Sequence, residues 1–139
     1  MKKQVLALVG VLSLFLAAGS AFAQSQEVRA KIPFDFVVNK ITMPAGTYSI
    51  DRTGMATNAV VIRGLDCKAA QFVLTTKRGS TTINQQSKLV FHRYGDRYFL
   101  SQVWVEGTSH VSLMPKSNLE SEVALDLTSK DVILYASTR

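Results

Sequence analysis

The chain has 139 residues with 16 basic and ten acidic side chains, and it contains a single cysteine, Cys67. One cysteine excludes an internal disulfide, so packing alone must hold the fold together. Beyond residue 23 only Lys77 and Arg78 are adjacent basic residues, and this dispersal argues against a nucleic-acid-binding face, which requires clustered positive charge.

Residues 1–23 have the pattern of a secretory leader. Two lysines precede an apolar run over residues 5–18, and an Ala-Phe-Ala cleavage site ends at Ala23. The leader carries two basic and no acidic residues, so residues 24–139 form one predicted β-rich domain with a net charge of +4. We predict an exported protein, periplasmic or extracellular, with no transmembrane segment after cleavage. A permanent N-terminal anchor is the alternative.

The first half of the domain alternates apolar and polar residues. Residues 28–38 follow a period of two, which predicts a half-buried strand, and Pro33 indicates an edge strand or a bulge. Asn39 and Lys40 predict a turn. The Pro-Ala-Gly sequence ending at Gly46 predicts a type II turn with Gly46 at positive φ, and a further strand follows it.

The middle of the chain adds two more predicted strands and a long loop. The strands cover residues 59–62 and 69–75, and Cys67 between them is predicted to pack as a small apolar side chain. Residues 77–86 are rich in polar residues and are predicted to form the longest loop, held to the domain by Ile83 alone.

Residues 88–105, KLVFHRYGDRYFLSQVWV, give the strongest local signal. Two apolar-rich runs flank Gly95 and Asp96, which predicts a β-hairpin because glycine adopts positive φ without steric cost. A two-residue loop places His92 opposite Phe99. Continued without interruption, the same register places Val90 opposite Ser101.

The C-terminal part predicts one helix and one final strand. Ser117 and Glu120 have the spacing of a capping box, which predicts a helix over residues 118–127. Residues 131–136 predict the strand. The fold class is therefore mainly β: a single antiparallel barrel or sandwich of about seven or eight strands, with one short helix in the C-terminal region.

The sequence offers few residues for catalysis or metal binding. His92, His110 and Cys67 have no paired spacing, so we predict neither a metal site nor another cofactor. His92, Ser101 and Asp96 are the residue types of a catalytic triad. The predicted register, however, places Ser101 opposite Val90 and not opposite His92. We predict that the protein is not an enzyme, and a hydrolase using His92 is the alternative.

Aromatic and arginine side chains concentrate in the predicted hairpin, and they favour a contact surface for a ligand or a partner protein if they are exposed. These residues are Arg93, Tyr94, Arg97, Tyr98 and Trp104. The alternative is that the rings belong to the core. The function we predict is a non-enzymatic binding or interaction module of the cell envelope, with an unidentified ligand or envelope partner and no nucleic acid. A self-associating structural or stress-related envelope protein is a further alternative.

Four motifs carry a resemblance to a known family. IPFDF at residues 32–36, PAGTY at 44–48, LVFHRYGDRYFLSQVW at 89–104 and PKS at 115–117 resemble a family of small exported bacterial proteins of unknown function. In that family the PAGTY turn is usually preceded by leucine, and Met43 here conserves the volume. The resemblance implies export and a shared fold, and it implies no activity, ligand or catalytic residue.

Overall fold

The structure is a computed structural model that describes residues 27–52 and 58–138, so the predicted leader lies outside the described residues. Within them, twelve strands form two sheets and one helix packs on the outside, which confirms the mainly β prediction. The sheets make a sandwich and are not closed into a barrel. The elements are β1 (Glu27–Ile32), β2 (Phe36–Val38), β3 (Ile41–Met43), β4 (Gly46–Arg52), β5 (Ala59–Gly64), β6 (Ala70–Leu74), β7 (Thr76–Gly79), β8 (Lys88–Tyr94), β9 (Arg97–Trp104), β10 (His110–Leu113), α1 (Asn118–Asp126), β11 (Lys130–Tyr135) and β12 (Ser137–Thr138).

Each sheet is mostly antiparallel. Sheet 1 has the order β12-β1-β4-β5-β6, and the main path of sheet 2 has the order β11-β8-β9-β10-β7. Strand β2 joins sheet 2 through a parallel bridge between Val37 and Phe99, and β3 pairs with β2. The chain passes from one sheet to the other at Thr75, between β6 and β7, and again at Ala136, between β11 and β12. Strands that change sheets in this way form the corners of a sandwich.

The chain also crosses between the sheets after β1, near Pro33, and after β3, near Pro44, and two sequence predictions are wrong at these crossings. The strand predicted over residues 28–38 is split, because the ladder of sheet 1 ends before Pro33 and β2 belongs to sheet 2. Proline has no N–H to donate to the ladder, which explains the break. Gly46 has no positive φ. It enters β4 directly opposite Ile32, so the predicted type II turn is absent.

Aromatic rings from both sheets meet between them. Phe91 of β8 contacts Phe34 and Phe36 edge to face, with ring centroids 5.1 and 5.7 Å apart. Phe36 in turn lies 5.1 Å from Tyr48 of β4. Cys67 is half-buried against this core, with its Sγ 3.7 Å from the Tyr48 hydroxyl. Burial and this thiol raise the pKa of Tyr48 above its ordinary value.

The β8–β9 hairpin follows the predicted register only in its outer half. His92 pairs with Phe99 and Phe91 pairs with Leu100, as predicted, but a bulge between Val90 and Phe91 then shifts the register by one residue. Val90 lies opposite Gln102, so the predicted Val90–Ser101 pair is wrong. The extra residue turns Val103 to the same inner face as Leu100, which continuous alternation would not allow.

Helix α1 covers part of the outer face of sheet 2. Its Leu119, Val123 and Ala124 pack on a small cluster formed by Val37, Tyr94 and Phe99. Ser117 Oγ accepts a hydrogen bond from the Glu120 backbone N–H at 3.1 Å, which confirms that half of the capping box. The Glu120 side chain turns inward to His92 and Tyr94 instead of reaching back to Ser117.

The segment predicted as the longest loop is partly a strand. Thr76–Gly79 forms β7 and pairs with β10, so the loop begins at Ser80. Ile83 is 58% exposed, and the prediction that it holds the loop is wrong. The strands outnumber the predicted seven or eight because the segment predicted over residues 28–38 is split, and because β3, β7 and β12 form where no strand was predicted.

Asn39 and Lys40 form the two-residue turn between β2 and β3, and both have positive φ, 48° and 74°. This conformation costs a residue with a Cβ about 1–2 kcal/mol. We expect Lys40→Gly to raise the free energy of unfolding by about 0.5–1 kcal/mol, because Asn-Gly suits such turns and glycine loses part of the gain through its flexible unfolded state. Urea denaturation would measure the change. Thr42→Gly, in the adjacent strand, should lower stability, and equal effects of the two substitutions would contradict the prediction.

Candidate ligand-binding groove

Three side chains form a row across the outer face of sheet 2. The strand register places Tyr135 of β11 opposite Lys88 of β8, and Lys88 opposite Trp104 of β9. Directly opposed side chains share a face. The neighbouring residues Leu89 and Val103 are buried in the core, so the row faces away from it. Strands lie about 4.8 Å apart, and the row therefore spans about 10 Å.

An open groove of about 300 Å³ lies along this row. Its floor and one side come from the row, and its wall is the loop that precedes β8. The lining residues are Thr82, Ile83, Asn84, Gln85, Gln86, Lys88, Trp104 and Tyr135. They offer two aromatic rings, side-chain amides, the hydroxyls of Thr82 and Tyr135 and one ammonium group, and no carboxylate lies among them.

The two rings of the groove differ in their freedom. Trp104 is half-buried, its Nε1 donates to Gln102 Oε1 at 2.9 Å, and the Lys88 ammonium lies 4.4 Å from the ring centroid. These contacts fix the plane of the indole. Tyr135 is 65% exposed at the other end of the row. The groove thus combines one fixed ring with one ring that is free to adjust to a ligand.

Asn84 fixes the loop that forms the wall. Its buried Nδ2 lies 3.1–3.3 Å from three acceptors, the carbonyls of Val105 and His110 and the hydroxyl of Thr108. Its backbone N–H donates to the Thr108 carbonyl, and its carbonyl accepts from Gly107. The wall is therefore attached to the turn between β9 and β10, so ordering it costs a ligand little binding free energy.

The structure separates the five contact residues that the sequence predicted. Tyr94 is only 4% exposed beneath α1, where its hydroxyl donates to Glu120 at 3.1 Å. Arg93 stacks over Tyr98 with its guanidinium carbon 5.5 Å from the ring centroid, and Arg97 is exposed near the hairpin turn. Of the five, only Trp104 lines the groove.

Sequence reasoning missed Lys88 and Tyr135 as site residues. Tyr135 lies far from Trp104 along the chain, and only the pairing of β11 with β8 and of β8 with β9 brings them into one row. No local pattern carries that information. The amide-rich run Asn84, Gln85 and Gln86 next to a predicted strand is the one signal in the sequence that pointed toward the wall.

A second polar cluster lies at the edge of α1. His92 Nδ1 is 2.9 Å from Glu120 Oε1, and His92 Nε2 is 3.7 Å from Asp131 Oδ1. A carboxylate only accepts hydrogen bonds, so Nδ1 carries the hydrogen. Burial, followed by the nearby charge of Glu120, raises the pKa of Tyr94. In the triad written from the sequence, Asp96 lies in the exposed hairpin turn, while both ring nitrogens of His92 face carboxylates.

Residues 27–52 and 58–138 contain no group of three or more His, Cys, Asp or Glu side chains arranged to hold a metal ion. In the same ranges, no helix has the length and apolar content needed to cross a bilayer. Comparison of the chain with protein-family models, with curated proteins and with solved structures finds no match. The resemblance read from the four motifs therefore stays a prediction.

Proposed function

We propose that the protein is a non-enzymatic binding module of the cell envelope that holds a saccharide chain in the groove on sheet 2. The row of Tyr135, Lys88 and Trp104 beside a fixed wall of amides is the observation that supports this proposal. The row is about 10 Å long, or two strand spacings. This length suits a chain of linked sugar rings better than a single small molecule.

The chemistry of the lining favours saccharides over other ligands. The C–H faces of a sugar ring pack on aromatic rings, and amide groups can both donate to and accept from its hydroxyls. Lys88 adds one positive charge, which suits sugars with carboxylate substituents such as those of bacterial envelope polymers. A purely apolar ligand would remove water from the exposed Gln86 amide without replacing its hydrogen bonds, at a cost in binding free energy.

Export forms part of this proposal and rests on the leader pattern of residues 1–23. A periplasmic or extracellular location would bring the groove into contact with envelope polysaccharides. The net charge of +4 for residues 24–139 would add weak attraction to anionic polymers.

Trp104 is the only tryptophan of the chain, so its fluorescence reports directly on the groove. We expect muramidase-released peptidoglycan fragments or chitotetraose to shift its emission in a saturable manner. Tyr135→Ala should weaken the affinity roughly three- to tenfold, because it removes one stacking surface.

Phe72→Ala is the matched control, because Phe72 is also an exposed ring, 57% exposed, but lies on sheet 1. The affinity of the Phe72→Ala variant for the saccharides should equal that of the unsubstituted protein. The proposal would be contradicted by an emission spectrum that stays constant with every saccharide. Equal losses of affinity in the Tyr135→Ala and Phe72→Ala variants would also contradict it.

The pairing of His92 with Glu120 is the one observation that favours the hydrolase alternative, because an acid that orients a histidine recurs in acyl-transfer enzymes. Yet the second ring nitrogen faces Asp131, where such an enzyme would have a hydroxyl. Hydrolysis of p-nitrophenyl esters or of peptidoglycan by the purified protein, abolished in His92→Ala, would support this alternative in place of the binding module.

A further inference from the structure

Three basic side chains lie at one end of the sandwich: Arg52 and His110 are half-buried, and Lys77 is exposed. In β4, Tyr48 and Ile50 are buried in the core, and Arg52 continues the same alternation at the end of the strand. The position that would hold the next core side chain therefore holds a guanidinium. Burial lowers the pKa of Arg52 below its ordinary value.

The other two cations reach this end from sheet 2. Ser112 of β10 lies opposite the core residue Val103, so it faces inward, and His110 shares that face two residues earlier. Lys77 of β7 lies opposite Ser112, diagonally next to His110. Diagonal neighbours of this kind lie about 7–8 Å apart.

The contacts within this group are between basic side chains. Arg52 Nη2 donates to His110 Nε2, which requires a neutral imidazole. Burial lowers the pKa of His110, and the charges of Arg52 and Lys77 lower it further. The amide of Asn84 donates to the His110 carbonyl at 3.1 Å, which helps to fix the backbone here.

No carboxylate balances these charges in residues 27–52 and 58–138. All ten acidic side chains of the chain lie in those ranges, and none is within 4.0 Å of Arg52, Lys77 or His110. Proteins seldom bring cations together at the edge of a core without an anion, since their mutual repulsion and desolvation both oppose folding.

We propose that this end of the sandwich binds a tetrahedral oxyanion, a phosphoryl or sulfuryl group, between Arg52, His110 and Lys77. The guanidinium supplies a fork of N–H donors, the ammonium supplies a point charge, and the imidazole becomes a further donor when it is protonated. Donors from β4, β7 and β10 would surround the anion. The site is separate from the saccharide groove and does not depend on it.

The bound anion should raise the pKa of His110, because it favours the imidazolium over the neutral ring. Binding is therefore coupled to proton uptake, and the affinity should increase as the pH falls from 7.5 to 5.5. The charged side chains that face His110 are Arg52 from β4 and Lys77 from β7. Sulfate is the appropriate probe for the pH series because it does not titrate in this range.

The chain has only two histidines, so NMR of the imidazole C–H groups can follow both. At constant ionic strength, we expect sulfate or inorganic phosphate to move the titration midpoint of His110 upward relative to chloride. The chemical shifts of the His92 ring should not respond to sulfate. Identical His110 titrations in sulfate and chloride would overturn the proposal.

Substitutions distinguish a specific oxyanion site from general electrostatic attraction to a basic protein. Lys77→Gln, at an exposed position that should tolerate the change, should weaken sulfate binding roughly three- to tenfold. Arg52→Gln should weaken it further. Lys31→Gln is the control, since Lys31 is exposed on sheet 1. An equal loss in the Lys31 and Lys77 variants would overturn the proposal.

Two experiments distinguish a lipid headgroup from a soluble phosphate ester as the source of the anion. Sedimentation with phosphatidylcholine vesicles that contain phosphatidic acid, lost in Lys77→Gln, would identify a lipid headgroup. A His110 shift with glycerol 3-phosphate, without sedimentation, would identify a soluble phosphate ester. Either result supports an oxyanion site, and failure of both together with sulfate contradicts it.

Discussion

Phe91→Ala should lower the free energy of unfolding by about 3–5 kcal/mol, the usual cost of removing a fully buried phenylalanine. Phe91 is completely buried at the centre of β8 and contacts the rings of Phe34 and Phe36. The chain has no disulfide to offset the loss, because Cys67 is its only cysteine. The cavity would open between the two sheets, where neither sheet can move inward without disturbing its ladder.

Urea denaturation followed by tryptophan fluorescence and by circular dichroism would measure this loss. Phe72→Ala is the matched control, because the same ring is removed from an exposed position on sheet 1. It should change the free energy of unfolding by less than about 0.5 kcal/mol. Similar losses in the two variants would show that Phe91 does not lie at the centre of the core.

Glu120→Ala should lower the free energy of unfolding by about 2–3 kcal/mol. Glu120 is 5% exposed, and its Oε1 accepts from His92 Nδ1 and from the Tyr94 hydroxyl. Hydrogen bonds to a charged group contribute more than neutral ones, and the substitution leaves the Tyr94 hydroxyl without this acceptor beneath the helix. Because these bonds join α1 to β8, the effect should be concentrated in the helix.

Hydrogen exchange would show which part of the structure loses stability in Glu120→Ala. Amides of α1 and of its C-cap Leu127, whose N–H donates to the Val123 carbonyl at 3.1 Å, should lose protection more than those of β4. Glu122→Ala is the control, since Glu122 is exposed two residues further along the same helix. Equal effects of the two substitutions on helix protection would rule out a helix held by the Glu120 network.

Local signals in the sequence predicted the elements well where the chain itself determines them. The Gly95–Asp96 turn and the Ser117 cap depend on neighbouring residues, and both form as predicted. The bulge beyond Phe91 was not predictable from the turn, because it depends on which face of β9 must meet sheet 1. The split at Pro33 follows from the absence of an N–H, but the sheet that receives β2 depends on distant residues.

The residues of the groove are even less predictable from local sequence patterns than the bulge and the split strand. Trp104 was among the predicted contact residues because aromatic side chains are concentrated in its hairpin. Its partners Lys88 and Tyr135 were not, since only the order of strands in sheet 2 places them beside it. The capping box suggested that the Glu120 side chain reaches back to Ser117, whereas the buried His92 and Tyr94 supply partners that no local rule includes.

The pairing of β1 with β12 has a consequence for how the polypeptide reaches its native state. Arg29 and Ser137 are 108 residues apart and are hydrogen-bonded neighbours in sheet 1. Closing so large a loop is slow, and sheet 1 is complete only when residues 137 and 138 are available to pair with β1. A nascent chain therefore leaves that side of β1 unpaired until residues 137 and 138 have been synthesised.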